Sequence, residues 1–176
     1  MTRTTAREIA LQLGFATAVS EDFAQDVLDG FFETEHYASL SGESQLFEEY
    51  PDKRQMRYIR TLVQLIFDHR VQLDAYIQKY ASGWRVDRIS KTAVAIMRAA
   101  MCEILYMDDV PNSAAINEAV ELAKRYEERD TAAFINGVLG SFVRGELGES
   151  SVPTEEPAVT GEADSAGEPV SPTPEL

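Results

Sequence analysis

The chain has 176 residues with a single cysteine, two histidines and a formal net charge of −14. One cysteine rules out an internal disulfide and a thiol metal cluster, and no apolar run approaches the ~20 residues that span a bilayer. The acidity argues against a general nucleic-acid glue, which needs a positive field, but leaves room for a local basic patch.

In chain order, Thr5 to Glu8 has capping-box spacing, a hydroxyl followed three residues later by a carboxylate. It predicts a helix with Ile9, Ala10, Leu13 and Ala16 inward and Leu11 and Phe15 flanking. Ser20 is placed to cap a second helix carrying Phe23, Ala24, Val27, Leu28 and Phe31. Residues 35–51 lose the periodicity and hold Gly42, three serines and Pro51, the composition of a loop. A long amphipathic helix follows from Asp52, with Met56, Ile59, Leu62, Val63, Ile66 and Phe67 inward, and continues to Ile77. Ser82 and Gly83 break it. The next helix is expected over Val86 to Met107, with Ile89, Ala93, Ile96, Met97, Ala100 and Ile104 inward.

Two helices then meet at a polar elbow. Pro111 cannot sit inside a helix, so Asn112 or Ser113 is expected to cap a stripe of Ile116, Ala119, Val120 and Ala123, with Glu121 and Arg125 paired one turn apart. Asp130 or Thr131 caps the last stripe of Phe134, Ile135, Val138, Leu139 and Phe142. Gly137 inside that helix costs about 1 kcal/mol against Ala, which predicts close packing of another helix there. Every element has helical spacing and none alternates, so the fold class is all-α, a compact bundle of six to seven helices. Residues 147–176 hold five of the seven prolines and seven acidic residues with no Lys or Arg, and so account for half of the net charge. Such a segment buries too little apolar surface to order itself, giving a domain over 1–146 and a disordered acidic tail over 147–176.

Little of this composition is catalytic. His36 and His69 have no ligand-spaced neighbours, and no phosphate-cradling Gly loop or nucleophile elbow occurs, so no metal, no cofactor and no enzymatic activity are expected. Arg98, in an otherwise apolar run, reads as a part-buried cation paired with a carboxylate. Arg3 and Arg7 share one face, as do Lys53, Arg57 and Arg60 beside Arg54. Either set is a solvated helix face or a grip on a phosphate backbone. Phe15 and Phe134 are core residues or stacking platforms for unpaired bases; spacing does not decide between these.

Three linked blocks carry a resemblance: Asp109-Val110-Pro111, then INEAVELAK (Ile116 to Lys124), then FINGVL (Phe134 to Leu139). Together they resemble the C-terminal signature of the NusB transcription antitermination family. The opening RTTAREIALQLGF and the run from Trp84 through Arg88, Ile89, Met97 and Arg98 to Glu103, Ile104 and Leu105 extend it over residues 3–145. The resemblance implies a non-enzymatic, cytoplasmic protein of two helical subdomains. It would bind boxA-type single-stranded RNA of ribosomal RNA transcripts with the ribosomal protein NusE, in the RNA polymerase antitermination complex. Implied RNA-binding residues are Arg3, Arg7, Phe15, Asp130 and Phe134, the arginines on phosphate and the aromatics on bases. The chain departs from the family at the sparse basic residues of its opening, at Gly14, at Ala93 and Val94 near the expected NusE contact, and in its long 35–51 segment and acidic tail. The alternative is a helical protein–protein adaptor, or a homodimer of the same fold, with weak or no RNA binding. A third reading, the accessory domain of a ribosomal RNA methyltransferase, lacks the cofactor-binding half.

Overall fold

The computed structural model describes residues 1–19, 23–82 and 88–148. Among the described residues seven α-helices follow one another: α1 Arg3–Val19, α2 Ala24–Phe31, α3 Thr34–Leu40, α4 Lys53–Tyr80, α5 Lys91–Tyr106, α6 Asn112–Tyr126 and α7 Arg129–Leu147. The all-α expectation holds.

The centre of the bundle is α5, and its sequence explains why. The single inward stripe read from its periodicity is too narrow: Ala93, Ala95, Ala99, Ala100 and Cys102 are buried together with Ile96, Met97 and Met101. A helix apolar nearly all round belongs in the interior, and its small side chains let α1, α4, α6 and α7 pack around it. The 28-residue α4 is the second organiser. Its first half buries Ile59, Leu62, Val63 and Ile66, and its second half Leu73 and Ile77. Gly14 earns its place here, because a Cβ on it would stand 3.0 Å from Ile66 Cδ1 where α1 crosses α4.

Several local expectations need correction. The first helix is capped by Thr2, whose Oγ1 accepts from Thr5 N at 3.0 Å, so Thr5 lies inside it. Residues 35–51 are not all loop: α3 and a short 3-10 turn at Gln45–Phe47 lie there. Tyr37 is the reason, buried among Phe31, Phe32, Phe47 and Tyr50 with ring centroids 4.9–6.0 Å away. Aromatic burial orders a segment whose polar composition alone predicted irregular chain. The caps of α6 and α7 are Pro111 and Glu128, neither giving a side-chain bond, so Asn112, Asp130 and Thr131 are first-turn helical residues. Glu121 takes Lys124 at 2.7 Å, while Arg125 crosses to Glu8 at 2.8 Å. Gly137 faces open space, so among the described residues no helix packs on it.

Other expectations are met. Asp52 caps α4, its Oδ1 accepting from Arg54 N and Gln55 N at 2.8 Å each. Arg98 forms the predicted ion pair, Nε and Nη2 donating to the two carboxylate oxygens of Asp74 at 2.7 and 2.8 Å. Gly148, with φ of 69°, closes α7 in the left-handed region that glycine adopts without steric cost. The Ser20 cap, Gly83 and the tail beyond Gly148 lie outside the described residues.

Candidate nucleic-acid interface

The first turns of α1 bring Arg3 and Arg7 onto the same aromatic ring, and they meet different fates. Arg3 lies with its guanidinium 4.1 Å from the Tyr58 ring centroid, and its Nη2 reaches Asp109 at 3.4 Å. It remains partly open to solvent. Arg7 is only 5% exposed. Its Nε donates to both oxygens of Glu103 at 3.1 and 2.9 Å, its Nη2 to Glu103 Oε1 at 2.8 Å, and its Nη1 to Glu118 Oε2 at 2.9 Å. Tyr58 donates a further 2.7 Å bond to Glu103. Burial by itself lowers the Arg7 pKa, but the Glu103 bonds and the surrounding negative charge outweigh it and hold the pKa above its ordinary value. The Tyr58 hydroxyl is raised by burial and by the Glu103 charge. Cys102, the neighbour of Glu103, is pushed up to about 12 by burial and by the same carboxylate, so it is an inert core thiol.

Arg7 was expected on a phosphate; it stands instead inside a four-helix junction of α1, α4, α5 and α6. Removing it to bind RNA would strand Glu103, which is fully buried. The sequence carried a signal for this that periodicity overlooks. Glu103 is the one carboxylate in the run from Ile96 to Leu105, whose other charge, Arg98, is spent on Asp74, and a buried carboxylate needs a partner.

Two turns further along α1, Leu11, Gln12 and Phe15 form one wall of an open groove of about 210 Å3. Thr92 and Ala95 of α5 and Tyr126 of α6 complete it. Tyr126 donates to Glu8, which also receives Arg125, so the end of α6 is tied to α1 at the groove's rim. Burial and that bond raise the Tyr126 hydroxyl. Phe15 is half-buried, packed on the core and lining the groove.

Asp130 and Phe134 lie one turn apart on α7, Asp130 exposed and Phe134 half-buried against the core. They share a face with each other, as Arg3 and Arg7 share Tyr58, while Phe15 belongs to the groove. Of the second basic set, Lys53, Arg54 and Arg57 stand exposed, but Arg60 is engaged: it donates to Asp29 at 2.7 Å and lies 5.8 Å from the Phe32 centroid. His36 packs edge-on to Phe31 and His69 stacks on Tyr106 at 4.4 Å. Among the described residues no group of His, Cys, Asp or Glu is arranged to hold a metal ion, and no helix is long and apolar enough to cross a membrane.

An all-helical bundle whose distinctive side chains pair, stack and line a groove defines a helical binding protein. Solved structures share its fold: T. maritima NusB superposes with a TM-score of 0.66 at 22% identity, covering 82% of this chain and 92% of that one. A chain of the crystal structure of the antitermination factors NusB and NusE in complex with dsRNA gives 0.63 at 18%, covering 81% and 96%. The family description NusB matches residues 4–144. The transcription antitermination protein NusB of Acetivibrio thermocellus is 34% identical over 148 residues, 84% of this chain and 92% of its own length. That of Symbiobacterium thermophilum is 38% identical over 151 residues, 84% and 93%. The chain belongs to the NusB family.

Proposed function

We propose that this protein is a cytoplasmic transcription antitermination factor that binds boxA-type single-stranded RNA of ribosomal RNA transcripts together with NusE, and so keeps RNA polymerase from terminating early. The observation that carries this reading is the family match across residues 4–144, joined by relatives named for antitermination that are spanned almost end to end. The likeness to a NusB–NusE–RNA complex supports NusE and RNA as the partners.

The site's chemistry supports the same reading with one change of role. Arg3 is the accessible cation of α1, already stacked on Tyr58 with its hydrogen-bond donors only weakly used. Phe15 offers its ring to a groove of a size to hold an unpaired base edge-on. Asp130 supplies an exposed acceptor for a base edge, with Phe134 one turn away. Arg7 acts from within as a positioning residue, because its bonds to Glu103 and Glu118 fix α1 against α5 and α6. Burial of Arg7 also gives the adaptor alternative its support, since it removes one of the two α1 cations from the phosphate backbone.

Fluorescence anisotropy with a labelled boxA-type RNA and a scrambled control, with and without NusE, decides between them. Selective boxA binding that Phe15→Ala weakens by about 1–3 kcal/mol is the expected result. Equal or absent binding of both RNAs with NusE present leaves the adaptor.

A further inference from the structure

The outer face of α4 takes no part in that reading, yet it is built with a clear polarity. At its start, Lys53, Arg54 and Arg57 are exposed and form no ion pair among the described residues. The nearby Asp52 carboxylate is already committed to the amides of Arg54 and Gln55. Three cations within two turns stand out on a chain of net charge −14.

The far end of the same helix fixes where the chain leaves the fold. Lys79 Nζ and Tyr80 Oη both donate to Glu146 Oε1 at 2.6 Å, clasping the end of α7 to the end of α4. Gly145 permits the clasp: a Cβ there would lie 2.8 Å from Tyr80 Cε1 and Cζ, inside the ring edge. Gly148 then turns the chain out of α7 beside the C-terminus of α4. The 28 residues that follow carry seven acidic side chains and no basic one.

The distance is short for that length of chain. A 28-residue helix is about 42 Å long, which roughly 12–13 extended residues cover. Counted from Gly148, that path ends just before Glu162, Asp164 and Glu168. We infer that the acidic C-terminal segment folds back along α4 and seats Glu162, Asp164 and Glu168 on Lys53, Arg54 and Arg57. Tethering supplies an effective concentration in the millimolar range, enough for weak surface charges to pair. The segment thereby occupies, as a polyanion belonging to the chain itself, a dense patch of exposed cations, and an incoming phosphate backbone has to displace it there.

The test uses the full chain and no RNA, so its outcome is separate from that of the RNA reading. A nitroxide is attached at Ser165→Cys, the native Cys102 being buried and unreactive. Amide signals of residues 53–60 are expected to broaden selectively at low salt. They should recover at about 1 M salt, where the Debye length falls to ~3 Å, and in the double variant Lys53→Glu/Arg57→Glu. Broadening that is absent from residues 53–60, or that survives the charge reversal, overturns the inference.

Discussion

Arg7 and Arg57 are the same residue type, each set one turn from another cation on a helix, and the molecule uses them in opposite ways. Arg7 sits where four helices meet and is saturated by two carboxylates, so its charge is an internal strut. Arg57 lies on the exposed face of α4, where water screens its charge. What separates them is not the spacing of cations but the presence of a carboxylate on a facing buried helix. Glu103 converts a potential phosphate ligand into structure; nothing among the described residues does so for Arg57.

The sharpest way to break that contrast is to remove the partner. Glu103→Gln leaves the buried Arg7 guanidinium with only the partly exposed Glu118 as countercharge and is expected to cost about 3 kcal/mol, read as a lowered urea midpoint. Pairing Arg7→Met with Glu103→Leu should cost less than the two single changes summed, since neither charge is then stranded; simple additivity would mean that the two residues are not a unit. Arg3, halfway between the extremes, should lose about 0.5–1 kcal/mol on Arg3→Ala through its contact with Tyr58, with a larger fractional effect on RNA affinity than on stability. An RNA affinity unchanged in that variant would remove Arg3 from the interface.

The smallest effect belongs to the exposed rim and appears only with pH. The amides of Gln55 and Arg54 hold the Asp52 carboxyl below its usual range. Its contribution is therefore present above the unfolded carboxyl pKa of about 3.9 and is lost as pH falls through the lower folded value. Asp52→Asn retains a cap without the titration, so the wild type should lose more melting temperature than the variant on acidification below about pH 4. Parallel profiles would assign the cap no electrostatic role.

Six of the seven described helices were legible in the sequence because their apolar stripes were regular, and α3, held by aromatic burial, was not. Where a helix starts was less so: Thr2 displaced Thr5 because several hydroxyls in succession can all cap, and α6 begins at Asn112 directly after Pro111 with no side-chain cap. Gly137 misled for a related reason. A helical glycine costs the same whether a neighbour presses on it, as Ile66 does at Gly14, or nothing does, and the sequence carries only the cost. Of the candidate site, Arg3 and Phe15 were placed on accessible surface, but Arg7 was not, because helical spacing reports which residues share a face and not what that face meets. The groove was beyond reach altogether, since Tyr126 and Thr92 join Phe15 only through packing of α5 and α6 on α1.

One consequence follows from the unbroken length of α4. Its first half is cemented to α1 at Ile66 and to α2 through Arg60 and Asp29, and its second half to α5 at Asp74 and α7 at Tyr76 and Tyr80. Neither end of the bundle can open without fraying a helix that the other end holds in register. Loss of structure should then be a single cooperative event, with amide protons of α4 protected against solvent exchange to one common free energy from Ile59 through Ile77.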